Sequence, residues 1–204
     1  MAKAVGIAGS PRRNGNSTSL LKAVLRGAES QGAATVTIHL DDLQFRGCRG
    51  CETCAPRDEC VVRDALTPVF ETLKLADIWV LASPIYFDGV SGQLKTFFDR
   101  CLWLAMQAGQ RHARLIGTRG AAIIVTYEDQ PRDDYRREAE KLASYLGWMG
   151  DFGGVRIVSE GLLGPAGAAA SRPELLAAAE QLGRELVNDQ VARAAARVEE
   201  SNQD

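Results

Sequence analysis

The chain has 204 residues, 46% of them hydrophobic, with 24 Lys+Arg against 26 Asp+Glu. That length and apolar content suffice for one full core, so residues 1–204 are expected to form a single domain with a cysteine-bearing loop at 47–61. The formal net charge of −2 argues against nucleic acid or an anionic membrane surface as the main partner, because either needs a basic excess.

No apolar run reaches the ~18 residues of a membrane span, and MAKAVGIAGSPRR opens a strand rather than a signal peptide, so the expected location is the cytoplasm. Residues 4–8 (AVGIA) are an apolar strand, followed by a loop of small hydroxylic and amide residues and then a helix. A strand, a glycine-containing loop and a helix start leave backbone N–H groups and the positive helix end facing one small space. The charges agree: Lys3, Arg12, Arg13, Lys22 and Arg26 all precede the first acid, Glu29. The loop lacks Gly-Lys-Ser/Thr and GxGxxG, which speaks against a nucleoside triphosphate or a dinucleotide pyrophosphate. Short donors on Ser10, Asn16, Ser17 and Thr18 suit a terminal monophosphate. The plainer alternative is a turn closed by Asn16 or Ser17 as N-cap, with the arginines solvated.

Strand candidates alternate with helix candidates, the pattern of a parallel sheet covered on both faces. Residues 4–8, 78–82 and 121–125 are nearly unbroken apolar runs and read as interior strands. Val36, Ile38 and Leu40 alternate with Thr35, Thr37 and His39, and Val155 and Ile157 flank Arg156, so these two strands belong at the edges. The resulting α/β fold is a flavodoxin-like three-layer sandwich with a five-stranded parallel sheet of order 2-1-3-4-5, whose ligand crevice lies between strands 1 and 3.

Ser91 is the expected N-cap of a helix whose Leu94, Phe97, Phe98, Cys101, Leu102 and Ala105 form one buried face. Pro131, Asp133 and Asp134 should open the next helix, with Tyr135, Ala139, Leu142 and Leu146 on one face and Gly147 as its stop. Ser171, Pro173 and Glu174 read as a capping box for the last helix, which should fray from about Glu199. His39 and His112 read as solvated surface residues. No side chain stands out as a general acid or nucleophile.

The second loop at the crevice, SPIYFDGVSG at 83–92, puts Tyr86 and Phe87 beside the phosphate loop, where they could hold a flat heteroaromatic ring or simply pack the core. A third loop, TYEDQ at 126–130, adds Thr126 and Tyr127. Between strands two and three, Cys48, Cys51, Cys54 and Cys60 fall in one window at spacing CxxCxxCxxxxxC. Three cysteines at successive three-residue intervals can wrap a cuboidal iron–sulfur cluster, as in ferredoxin runs. Structural zinc favours two separated CxxC hairpins. Zinc, free thiols and a CxxC redox pair remain open alternatives. Arg46, Arg49, Arg57 and Arg63 surround the window and would lower thiol pKa values, dock an acidic redox protein, or merely be solvated.

GSPRRNGNS at 9–17, SPIYF at 83–87 and SGQLKTFFDR at 91–100 resemble the signature segments of the NADPH-dependent FMN reductase superfamily. The resemblance implies FMN, its phosphate held by Ser10, Arg12, Asn16, Ser17 and Thr18 and its ring edge along Pro84, Ile85, Tyr86 and Phe87, with Thr126 and Tyr127 as further ligands. Glu128 and Asp129 depart from the glycines that relatives often carry there. The compact cysteine window resembles the iron-sulfur flavoprotein subgroup, which implies a [4Fe–4S] cluster on Cys48, Cys51, Cys54 and Cys60. The function so implied is an FMN-dependent oxidoreductase joining a two-electron flavin to a one-electron cluster, with NAD(P)H or a ferredoxin-like protein as donor and a small-molecule acceptor. Its rivals are an NAD(P)H-dependent FMN or quinone reductase without a cluster, and a non-enzyme flavin-binding redox sensor or zinc-stabilised interaction module. The family also implies a homodimer or homotetramer, to which Leu102, Trp103 and Leu104 could contribute contacts.

Overall fold

The computed structural model describes residues 1–201 except Ala55, Asp58, Ala108 and Gly109. In chain order its elements are β1 (Lys3–Ala8), α1 (Asn16–Glu29), β2 (Ala34–His39), α2 (Leu66–Lys74), β3 (Ile78–Tyr86), β4 (Gly89–Val90), α3 (Gly92–Arg100), β5 (Met106–Gln107), β6 (Gln110–Arg111), β7 (Gly120–Thr126), α4 (Arg136–Met149), β8 (Val155–Glu160) and α5 (Pro173–Ser201). The main sheet runs β2-β1-β3-β7-β8, all parallel, which is the expected order 2-1-3-4-5 once the short hairpin strands are set aside.

Strand periodicity divides the core. On β3, Ile78, Val80 and Ala82 face α1 and α5, where Leu20, Leu21, Val24 and Leu186 bury them. Trp79 and Leu81 face the other side with Phe70, Phe97, Leu142 and Leu146. Every residue of β7 is buried, as a strand covered on both faces must be. Each large side chain fully buried this way contributes roughly 1.5–3 kcal/mol. Helices α1 and α5 approach closely because glycines sit at their crossing: a Cβ on Gly27 would come within 1.9 Å of the Glu180 carbonyl oxygen, and one on Gly183 within 1.9 Å of that of Val24.

Several local expectations are corrected. Leu102 turns outward, 42% exposed, because α3 ends at Arg100 and Cys101–Leu104 tightens into a 3₁₀ turn, which shifts the helical phase. Cys101, Trp103, Leu104 and Ala105 stay buried, so of the three residues offered for contacts between copies only Leu102 is accessible. Residues 131–135 form turns and α4 starts at Arg136; Gly147 lies inside that helix, exposed, with open space around it, and the chain leaves the helix at Gly150. Pro173 is the first residue of α5 as expected. Ser171, however, belongs to the preceding 3₁₀ turn, and the Arg172 carbonyl accepts the first N–H bonds from Leu175 and Leu176. The helical backbone persists to Ser201, past the expected fraying point at Glu199, and residues 202–204 lie outside the described residues. Among the described residues no helix is long and apolar enough to cross a membrane.

Candidate functional site

The carboxyl ends of β1, β3 and β7 converge on a cavity of about 140 Å³. Its walls include Ser10, Arg12, Gly15, Asn16 and Ser17 from the first loop, Pro84, Ile85 and Tyr86 from the second, and Thr126, Tyr127 and Glu128 from the third. Of the eleven residues expected to hold the flavin, only Thr18 and Phe87 are not on its lining. Thr18 is fully buried beneath the loop and donates to the Arg12 carbonyl at 3.2 Å.

The first loop is closed from within. Arg12 N–H donates to Ser10 Oγ at 3.1 Å, and Gly15 N–H donates to the Arg12 carbonyl at 3.1 Å. Gly15 is the N-cap of α1, so no side chain caps this helix; a Cβ there would meet Ser10 Oγ at 2.9 Å. The N–H groups of Asn16, Ser17 and Thr18 therefore open the helix with neither a preceding carbonyl nor a capping oxygen. Beside them, Ser17 Oγ is buried and has no hydrogen-bond partner among the described residues. A buried hydroxyl left this way costs about 1–3 kcal/mol, and a phosphate oxygen would relieve it. The donor set thus fits the phosphate of FMN. Asn16 does different work: its Nδ2 donates to the Leu163 carbonyl at 2.8 Å and its Oδ1 accepts from Ala169 N–H at 2.9 Å. It ties the helix start to the loop after β8, whose Leu163, Gly164 and Ala166 complete the cavity. Sequence reading missed that loop, although GLLGPAG at 161–167 directly follows the last strand and is rich in Gly and Pro.

The second loop is a tight hairpin. Ile85 pairs with Val90 and Tyr86 with Gly89, leaving Phe87 and Asp88 at the tip with φ of 49° and 60°, the backbone of a two-residue hairpin turn. Tyr86 is 46% exposed and Phe87 is fully exposed beyond the rim. Ser91 fixes the hairpin's base: its Oγ donates to the Gly9 carbonyl at 2.6 Å and accepts from Leu94 N–H at 3.3 Å as the N-cap of α3. Tyr135 O–H donates to Asp88, and the Tyr135 ring stands edge-on to Tyr127 at 4.8 Å. Tyr127 O–H shares a 3.1 Å hydrogen bond with Ser159 Oγ. This chain of contacts braces the hairpin against the third loop, whose Glu128 and Asp129 are exposed. Glu160, below it, is held above its ordinary pKa by burial, a push that Arg132 at 3.1 Å partly opposes.

Cys48, Cys51, Cys54 and Cys60 line one second cavity, about 250 Å³, together with Val61, Val62, Leu102, Trp103, Met106 and Arg100. Cys48 and Cys51 are exposed, Cys54 and Cys60 half-buried. Gly50 N–H donates to Cys48 Sγ at 3.4 Å. Hydrogen bonding by Thr53 lowers the Cys51 pKa, whereas desolvation and the neighbouring thiols raise that of Cys54. Cys101 lies apart in the core with its pKa pushed up by complete burial. Among the described residues, no group of three or more His, Cys, Asp or Glu side chains is drawn together closely enough to hold a metal ion. The loop carrying the thiols is anchored by Arg100, whose side chain is fully buried. Its Nη1 donates to Asp64 at 2.6 Å and to the Arg46 carbonyl at 2.9 Å, and its Nη2 donates to the Val62 carbonyl at 2.9 Å. Burial alone would raise the Asp64 pKa, but Arg100 and the N–H groups of Arg46 and Leu66 hold it below the ordinary value. Of the other arginines near the window, Arg49 lines the cavity and Arg63 pairs with Glu59 at 2.6 Å on the surface.

Sheet order and a polar cavity at the switch point define a flavodoxin-like α/β protein. Solved structures agree on that fold. A flavodoxin from the domain Archaea gives a TM-score of 0.57 at 15% identity over 92% of this chain and 98% of that one. An NAD(P)H:quinone oxidoreductase from Methanothermobacter marburgensis gives 0.68 at 20% identity over 91% and 96%. A family model described as NADPH-dependent FMN reductase matches residues 2–149, and the chain belongs to that family of FMN-dependent oxidoreductases. Among curated relatives, an iron-sulfur flavoprotein of Archaeoglobus fulgidus is 39% identical over 123 residues, 60% of this chain and 54% of the relative. One of Methanocaldococcus jannaschii is 40% identical over 98 residues, 48% and 51% respectively. The matched stretch thus spans about half the length of these two relatives.

Proposed function

We propose that the chain acts as an FMN-dependent oxidoreductase of the iron–sulfur flavoprotein type, with FMN in the strand-end cavity and a [4Fe–4S] cluster on Cys48, Cys51, Cys54 and Cys60. The observation that carries the flavin half is the buried Ser17 hydroxyl without a partner, beside the uncapped first turn of α1. The placement of all four window cysteines around one largely apolar cavity supports the cluster half, as do the names of the curated relatives. FMN handles electrons in pairs or singly and a cluster handles them singly, so the two together would join unlike redox partners. The chain's own residues bind and orient: Ser10, Ser17 and the first-turn N–H groups take the phosphate, and Arg12 offsets its charge at the exposed rim. Pro84, Ile85 and Tyr86 receive the ring edge with Phe87 projecting at the hairpin tip, and Thr126 and Tyr127 close the third side. At about 140 Å³ the cavity suits the phosphate-bearing end, and the hairpin beyond it would receive the ring.

NAD(P)H or a ferredoxin-like protein is the proposed donor and a small molecule the acceptor, with 1–204 working as one unit in a cytoplasmic homodimer or homotetramer. The second reading is an NAD(P)H-dependent reductase without a cluster; the separation of the thiols among the described residues favours it. Metal, sulfide and flavin analysis of protein purified without air separates the two. The proposal expects bound FMN with about four iron and four sulfide per chain. Flavin without iron moves the assignment to the cluster-free reductase, and zinc in place of iron makes the window a structural site.

A further inference from the structure

Two residues that line the cysteine cavity each keep one buried nitrogen without a partner among the described residues. Arg100 and Trp103 are 1% and 3% exposed, and both line the cavity with Cys48, Cys51, Cys54 and Cys60. The Arg100 Nη groups are spent on Asp64, Val62 and Arg46, but its Nε has no hydrogen-bond partner among the described residues, and neither has Trp103 Nε1. The Trp103 ring is locked edge-on to Phe70 at 5.6 Å and cannot swing its N–H to water without breaking that packing. Buried donors are nearly always satisfied, so each such exception calls for an acceptor the protein itself does not supply. Of the rest of the lining only Glu52 carries a strong side-chain acceptor; it is exposed, and neither nitrogen bonds to it.

We infer that Arg100 Nε–H and Trp103 Nε1–H are positioning donors for the sulfur atoms of the cluster, and that they set its reduction potential. The inference rests on the cluster reading above and goes beyond it. Gly50 N–H already shows the same bond type toward Cys48 Sγ. Adding an electron makes the sulfurs more negative, so N–H···S bonds strengthen on reduction and raise the potential. The fixed guanidinium charge acts in the same direction. Both donors come from the α3 end and the 3₁₀ turn after it, so the SGQLKTFFDR segment with that turn reaches from the flavin-side cap at Ser91 to the cysteine loop.

The test uses wild type and Trp103→Phe, both prepared without air, because phenylalanine keeps an aromatic ring and removes the N–H. Cluster potential is read by titration followed with electron paramagnetic resonance. Resonance Raman spectra of wild type reconstituted with iron and sulfide in H₂O and in D₂O need no variant at all. We expect at the wild-type midpoint a roughly tenfold shift toward the oxidised cluster in Trp103→Phe, about 59 mV for one electron. We also expect deuterium-sensitive iron–sulfur bands in wild type that lose part of that sensitivity in the variant. Equal potentials and equal isotope sensitivity in two iron-loaded proteins overturn the inference and leave the cluster reading standing. Wild type without iron overturns both. If Trp103→Phe fails to fold, Raman bands of wild type that do not respond to D₂O overturn the inference on their own.

Discussion

Residues 9–18 and residues 47–61 each border a cavity where buried polar atoms find no partner among the described residues, yet the two are held in place by different means. The first loop runs directly from β1 into α1, is pinned by Ser91 and Asn16, and closes on its own backbone. Among its described residues the second carries no helix or strand; a buried guanidinium holds a carboxylate and two carbonyls at its two ends, and Arg114 Nη2 donates to the Cys54 carbonyl at 3.2 Å within it. A site made by regular elements is preorganised before its ligand arrives; a site on an irregular loop held by a few side-chain bonds takes its final shape from what it binds. On the proposed reading phosphate binding belongs to the sheet and metal binding to the loop, and each half can be broken separately.

The largest effect is expected at the anchor. Asp64→Ala leaves Arg100 charged and buried without a counterion, which should cost about 3–5 kcal/mol of stability in denaturant titration and abolish iron loading. A loss below about 1 kcal/mol would mean that the loop holds itself. Next comes the phosphate site. Ser17→Ala removes the hydroxyl that lacks a partner, so FMN affinity should fall by about 1.5–3 kcal/mol, roughly 10- to 150-fold, while riboflavin affinity and the melting temperature of the flavin-free protein barely change. Equal losses for both flavins would place Ser17 outside the phosphate contacts.

The ion pair also carries a pH signature. Asp64 titrates below its ordinary 3.8, so the folded state binds this proton less tightly than the unfolded chain. Its stabilisation is fully present above about pH 5 and is lost as pH falls below 3.8 through the lower folded value. Asp64→Asn should flatten the acid limb of the stability curve there and leave the limb above pH 6 parallel to wild type. The smallest expected effect is at the ring: Tyr86→Ala should weaken FMN and riboflavin alike by about 0.5–1.5 kcal/mol, checked by fluorescence titration, because Tyr86 is half-exposed and contributes contact area only.

Much of this architecture is legible in the sequence because its causes are local or periodic. Apolar runs at 78–82 and 121–125 mark strands buried on two faces, and the alternating strands mark the edges. Ser91 is recognisable as a cap because the following Leu94, Phe97 and Phe98 are spaced for a helix. What escapes is set by contacts far along the chain. Asn16 looks like one more phosphate donor until Leu163 and Ala169, some 150 residues away, claim both ends of its amide. Arg100 looks like the polar end of a helix motif, and only the fold brings Asp64 and the cysteine loop to it. Leu102 has the right spacing for a buried face, and a change from α to 3₁₀ geometry at Cys101 turns it outward.

The central claim is that flavin and metal occupy separate, independently built sites, and Cys51→Ala tests it most directly, since it removes one thiol at an exposed position and adds no charge. The measurement is FMN and iron content per chain, side by side with wild type, in protein prepared without air. The account predicts a yellow variant that keeps wild-type FMN and has lost its iron; a variant that loses FMN together with iron, or a wild type that never held iron, would contradict it.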